Sequence, residues 1–284
     1  MRRRWGIARR AVQVAALALF ATPLLLSGWA LFGLSAKGEA PVPTPADLPF
    51  YGSLSASSLA GFSLYDPFAV LELVVASRTL EPAWLVGGGI VLGFYACVGA
   101  RAFCGWVCPV NLLLEGVGWL RTRLGLPVAG RALPRRTKLA VAGAFLLLAA
   151  FAARPLFEGV SPIAALNRGM LFGSLAGTLT LVALVLTEFF CGHRVWCRSL
   201  CPVGALYEAA GRLGPLKVRI DPAACTQCQR CKEACLAEPE ILDPVIEGRS
   251  GHVRAGDCMR CGACVDACPH GALRIAVPRR GRQG

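Results

Sequence analysis

The chain has 284 residues, 55% of them hydrophobic, with 14 cysteines and a formal net charge of +13. Such a balance is too apolar for a soluble domain of this length. The basic excess falls in particular short segments, so it does not call for a nucleic-acid partner.

Four uncharged or nearly uncharged stretches follow in chain order: 23 residues at Ala11–Gly33, 18 at Ala83–Ala100, 15 at Leu139–Ala153 and 19 at Gly169–Thr187. A helix of about 20 apolar residues crosses about 30 Å of hydrocarbon. The third stretch is short, and its flanking Lys138 and Arg154 can snorkel outward to bridge the deficit. These runs predict four transmembrane helices within residues 1–202, followed by a soluble segment from 203. Gly87, Gly88, Gly89 and Gly93 do not have dinucleotide-fingerprint spacing and are expected to allow close helix packing.

Basic residues cluster before the first stretch (Arg2, Arg3, Arg4, Arg9, Arg10) and between the second and third (Arg121, Arg123, Arg131, Arg135, Arg136, Lys138). The long segment from Leu34 to Pro82 carries Lys37 and Arg78 against five acids. Lys- and Arg-rich loops stay cytoplasmic. The expectation is a multi-pass protein of the bacterial inner membrane, with both termini in the cytoplasm. Arg2–Arg4 before an apolar run also resembles a signal peptide, but the run exceeds a usual signal core, which favours a retained helix.

Two C-x3-C-P elements come next, Cys104-x3-Cys108-Pro109 and Cys197-x3-Cys201-Pro202. A four-residue step sets both sulfurs of a pair on one side of a helical turn, and the proline stops the helix beyond. The four thiols can serve as a metal site, as a redox-active set, or as packing at helix ends. Cys97 reads as a small helix residue and Cys191 as a spare thiol.

The remaining eight cysteines form two copies of one pattern, offset by 33 residues. The first is Cys225-x2-Cys228-x2-Cys231-x3-Cys235 and the second Cys258-x2-Cys261-x2-Cys264-x3-Cys268-Pro269. Three closely spaced thiolates wrap one [4Fe–4S] cube, and the fourth cysteine reaches the neighbouring cube. Cys225, Cys228, Cys231 and Cys268 are thus expected to hold one cluster, and Cys258, Cys261, Cys264 and Cys235 the other. Disulfides suit small secreted domains, and zinc ribbons lack the third and fourth cysteine in step. Leu236 stands where proline often follows Cys235, at no cost in ligands. Short strands are expected at Leu216–Ile220 and Ala272–Val277, and a surface loop at Leu236–Asp257. The fold class is therefore an α-helical membrane protein with a C-terminal α+β dicluster ferredoxin domain at 203–284. The tail from Pro278 to Arg282 is expected to cling to anionic lipid headgroups.

The stretches LYDPFAVLELV, FCGWVCPVNLL and WCRSLCPVGALYE, with the two cluster motifs, resemble the NapH/MauN family of ferredoxin-type membrane proteins over nearly the whole chain. For the NapH branch the resemblance implies a quinol dehydrogenase subunit that passes electrons toward periplasmic nitrate reduction. Its partners there would be a NapG-like ferredoxin subunit and a c-type cytochrome. For the MauN branch it implies production of methylamine dehydrogenase, and related proteins serve copper enzymes. Two functions follow: electron transfer from quinol, or assembly of a partner enzyme by supplying electrons or handling metal.

His193, His252 and His270 lie outside the apolar stretches and no C-x-x-C-H occurs, so neither a membrane haem nor a c-type haem is expected. A quinol releases two protons, for which Glu188 is a candidate acceptor, although a charge at the end of an apolar run is the plainer reading. Asp66 and Glu72 with Phe62, Tyr65 and Phe68 are a second candidate, as the lining of a quinol pocket.

Overall fold

The computed structural model describes residues 4–26, 50–59, 61–126, 134, 136–172, 175–192 and 194–277. Arg131, Arg135, His193, the last part of the first apolar stretch and the 278–284 tail lie outside the described residues. The chain divides into two compact units, each assembled from separated segments.

The first unit comprises Met1–Gln13, Leu92–Cys108 and Gly204–Gly284. Its strands β4 (Lys217–Ile220) and β5 (Leu273–Ala276) pair antiparallel, with Lys217 opposite Ala276 and Ile220 opposite Leu273. These are the two flanking strands expected from alternation. The segment between the cysteine motifs differs from the surface loop expected. It contains a 3-10 turn at Pro239–Leu242 and helix α12 (Asp243–Ile246). Ile241, Leu242, Val245 and Val253 are buried, because these apolar side chains fill the space over β4. Val253 N–H donates to the Val218 carbonyl at 2.8 Å.

Helix α1 (Arg4–Leu26) begins in this unit. Its first backbone N–H groups, of Trp5 and Gly6, donate to the Asp266 carboxylate at 3.3 and 2.9 Å. A carboxylate at a helix N-terminus satisfies groups that have no partner within the helix and meets the positive end of its dipole.

The second unit comprises Val14–Val91 and Pro109–Val203. It opens with an antiparallel meander, β1 (Phe50–Gly52), β2 (Ala56–Leu59) and β3 (Phe62–Tyr65). Asp66 caps helix α2 (Pro67–Ser77) by accepting from Phe68 N–H at 3.3 Å. Helix α2 packs against α6 (Thr137–Ala152). Phe157, in the short helix α7 (Phe157–Val160), meets Phe68 and Phe145 edge-on at 5.3 Å. Gly88, in α3 (Pro82–Val98), lies so near Val70 that a Cβ would stand 2.9 Å from its Cγ2. Helix α9 (Leu175–Cys191) packs against both α8 (Pro162–Phe172) and α5 (Pro109–Arg123).

The expectation of four transmembrane helices is overturned: among the described residues no helix is long and apolar enough to cross a membrane. Helix α1 has 23 residues but carries Arg4, Arg9 and Arg10. Helices α3 and α9 have 17 residues and α6 has 16, about 25 Å at 1.5 Å per residue against about 30 Å of hydrocarbon. Gly99 at φ 125° follows α3 within the second apolar stretch, and Ala153 at φ 52° ends α6 where the third stretch ends. Of the fourth stretch, the described residues lie in α8 and α9, with 173–174 outside the described residues.

Candidate iron–sulfur site

Both cysteine motifs fold in the first unit as the same loop. In the first, Gln227 and Gln229 take left-handed backbone at φ 54° and 59°; in the second, Arg260 and Gly262 do so at 48° and 73°. Left-handed residues alternating with cysteines turn successive N–H groups toward one centre, a concavity that suits an anionic group. Short helices follow each loop, α11 (Arg230–Glu233) bearing Cys231 and α13 (Ala263–Ala267) bearing Cys264.

Cys225, Cys228, Cys231 and Cys268 line a single pocket, with Ile220 and Leu273 among its walls. Cys228 is exposed, and the Arg230 backbone N–H beside it holds its thiol below the usual range. Burial pushes the Cys231 thiol up. The other four sulfurs interact among themselves in a drier place. Burial, reinforced by Cys261 and Cys258, pushes Cys235 up to about 12. Burial likewise raises Cys258 and, more strongly, Cys264. Iron held by these cysteines would take their sulfurs as thiolates and so offset the cost of burying that charge. The donor set and the loop geometry therefore fit two iron–sulfur clusters, each drawing three cysteines from one motif and one from the other. Among the described residues, no group of three or more His, Cys, Asp or Glu is arranged to hold a single metal ion.

Long-range contacts build the wall behind the second loop. Arg260 is 4% exposed and donates to the carbonyls of Leu216, Cys258 and Gly211 at 2.9, 2.8 and 2.8 Å. Arg101 Nη1 meets Asp257 Oδ1 at 2.6 Å, with both side chains 2% exposed. Helix α4 (Ala102–Trp106) lies against the same loop: Trp106 Nε1 donates to the Arg260 carbonyl at 3.1 Å. A Cβ on Gly105 would stand 3.1 Å from the Met259 carbonyl and 3.6 Å from Cys261 Cβ. Trp5 packs edge-on to Trp106 at 6.0 Å and covers Gly262.

Of the C-x3-C-P thiols, Cys104 and Cys108 belong to the first unit, Cys197 and Cys201 to the second. Cys104 is in α4 and Cys108 directly precedes α5; Cys197 is in a π-helical turn, Trp196–Leu200, and Cys201 directly precedes α10 (Pro202–Gly211). In both elements the second cysteine's N–H reaches back five residues, Cys108 to the Phe103 carbonyl at 3.0 Å and Cys201 to that of Trp196 at 2.9 Å. Cys97 and Cys191 are exposed.

Reading by cysteines alone missed a longer repeat. Each element is R-x2-C-x3-C-P-V-x4-E, from Arg101 to Glu115 and from Arg194 to Glu208. Superposing the two C-x3-C-P strings would have revealed it. Both arginines are buried. Arg194 donates to Asn111 Oδ1 and lies 3.6 Å from Glu115.

Glu188 accepts from the N–H groups of Arg194 and Val195, so it tethers the turn after α9. Glu72 Oε1 accepts from Leu156 and Phe157 N–H at 2.7 and 2.8 Å. Of the aromatic residues expected beside it, Phe68 is buried and Phe62 is 70% exposed.

Two family models match these regions. One described as "4Fe-4S binding domain" covers residues 80–127 and 169–221, and one described as "4Fe-4S dicluster domain" covers 217–269. With the paired cysteine sets, they define a ferredoxin-type iron–sulfur electron-transfer protein. The chain is 36% identical to the methylamine utilization ferredoxin-type protein MauN of Methylobacillus flagellatus, covering 97% of this chain and 91% of that one. It is 33% identical to MauN of Methylorubrum extorquens (98% and 90%) and 30% identical to the ferredoxin-type protein NapH of Escherichia coli (96% and 90%). The chain belongs to this NapH/MauN family of ferredoxin-type proteins. No solved structure matches it.

Proposed function

We propose that this chain is the iron–sulfur subunit of a quinol-oxidising complex. The observation that carries the reading is the gathering of eight cysteines into two sets of four. Cys225, Cys228, Cys231 and Cys268 hold one [4Fe–4S] cluster; Cys258, Cys261, Cys264 and Cys235 hold the other. Clusters of this type supply one-electron transfer, which divides a quinol's two electrons into single steps. The left-handed residues between the cysteines fix the loops, and Trp5 and Trp106 screen the second loop from water.

On the family resemblance of its motifs, the electron source is quinol and the acceptor a periplasmic nitrate reductase-type enzyme, with a NapG-like ferredoxin subunit and a c-type cytochrome as partners. The 30% identity to ferredoxin-type NapH proteins is in keeping with that branch. The site of action is the bacterial inner membrane, with the ferredoxin region on the cytoplasmic side. The basic N-terminal segment supports that placement, as do bulky apolar side chains left in the open, among them Phe151 at 87% and Leu175 at 73% exposure. Cys104 with Cys108, and Cys197 with Cys201, are redox or metal-binding pairs, a reading supported by the 4Fe–4S model that spans both elements.

Electron paramagnetic resonance of anaerobic membranes tests the proposal. Added quinol should produce reduced-cluster signals, which Cys228→Ser should abolish or alter. Signals that appear with dithionite but never with quinol would remove quinol as donor. A second reading, as an assembly factor that supplies electrons or handles metal for a partner enzyme, draws on the identity of 33–36% to MauN against 30% to NapH. Under that reading, deleting the gene leaves methylamine dehydrogenase or a copper enzyme without its cofactor while quinol oxidation persists.

A further inference from the structure

The two cysteine loops share a backbone but differ in one charge. Gln227 and Arg260 occupy the same place, one residue before the second cysteine, both with left-handed φ. Gln227 is neutral and exposed, and its Nε2 donates to the Ile246 carbonyl at 3.3 Å. Arg260 is buried, and its guanidinium is fixed by the carbonyls of Cys258, Leu216 and Gly211. Space for it is made by Gly99, where a Cβ would stand 2.2 Å from Arg260 Nε. A second buried guanidinium, Arg101, lies on the carboxylate of Asp257, the residue before Cys258.

Reducing a cluster adds one negative charge to a centre that four thiolates already make anionic. A fixed positive charge in low dielectric stabilises the reduced form more than the oxidised form. Carbonyl partners satisfy the guanidinium hydrogens but leave its charge unneutralised, unlike a carboxylate. We propose that Arg260 is a potential-setting residue: its buried charge raises the reduction potential of the cluster held by Cys258, Cys261, Cys264 and Cys235, and biases electrons toward the cluster beside α4. The inference rests on the reading that the eight cysteines hold two [4Fe–4S] clusters.

The test is a redox titration of the full-length, anaerobically purified protein, followed by electron paramagnetic resonance. Iron and acid-labile sulfide are measured on every sample. Two clusters require about eight of each, so a shortfall in the unsubstituted protein refutes the cluster reading and not the tuning. Arg260→Met keeps the apolar stem and removes the charge. It should lower one midpoint potential by at least a tenfold shift in the reduced fraction, which for one electron is about 59 mV, and leave the other nearly unchanged. Arg260→Lys should restore most of the difference. Asp257→Asn removes a negative charge and should move the same midpoint upward. Unchanged midpoints in Arg260→Met with full iron content, or equal shifts of both clusters, would overturn the proposal. Should Arg260→Met lose iron, Arg260→Gln decides: a downward shift of one midpoint supports the inference, and no shift refutes it.

Discussion

Asp66 and Glu72 read in the sequence as candidate lining of a quinol pocket, and in the fold each is tied to backbone. Glu72 is fully buried and serves two N–H groups at the start of α7. Glu72→Ala strands both donors, so we expect a loss of about 3 kcal/mol, at the upper end for unsatisfied buried groups. Glu72→Gln keeps an acceptor oxygen and should cost less, as read from denaturant midpoints. Asp66 differs because burial pushes its carboxyl up to about 7, with Glu158 and Glu72 adding repulsion against the lowering effect of Phe68 N–H. A carboxyl raised in the folded state binds more protons there than when unfolded. Stability therefore falls as pH rises from about 4, the usual aspartate value, to about 7. Asp66→Asn should flatten thermal stability across that interval, and an unchanged slope would contradict the assignment.

At the scale of elements, the cysteine loops were legible because their chemistry is local: ligand spacing and the strands either side lie within a few residues of one another. The wall behind the second loop was not legible. Trp5, Gly99, Arg101 and Trp106 lie more than 150 residues before the loop that they support, and no short-range pattern couples them. The four apolar stretches were visible as composition, but hydropathy does not fix where a helix stops: α3 ends at Val98, before Gly99 at φ 125° and inside its apolar stretch. Gly262 offers a test of the wall. It lies at φ 73°, and a Cβ there would stand 2.4 Å from Trp5 Cγ. Gly262→Ala should cost about 1 kcal/mol or more from backbone strain alone. It should also expose Trp5, seen as a red shift of tryptophan fluorescence and faster proteolysis at the start of α1. Asp266→Ala, which removes the cap on α1, should loosen the same turn at a cost of about 1 kcal/mol.

On the scale of the whole molecule, the two halves of each C-x3-C-P repeat are shared out. The first unit holds Arg101 to Cys108 and Gly204 onward; the second holds Pro109 onward and Arg194 to Val203. Large apolar side chains remain exposed on α1, α3, α6 and α9, including Ile7, Phe94, Phe151 and Phe190. We propose that a nonpolar covering meets this surface, in keeping with the proposed site of action. Extraction should require detergent, and the isolated chain should aggregate when detergent is withdrawn; a monodisperse preparation in plain buffer would contradict this.

The interleaving has a consequence for anyone wishing to transplant the redox end. Residues from 204 onward look like a cassette that could be severed and grafted to another carrier. Their second loop, though, leans on Gly99, Arg101, Gly105 and Trp106, which are made by the ribosome long before it. A severed cassette leaves that scaffold behind, so it should shed its metal in air sooner than the parent does.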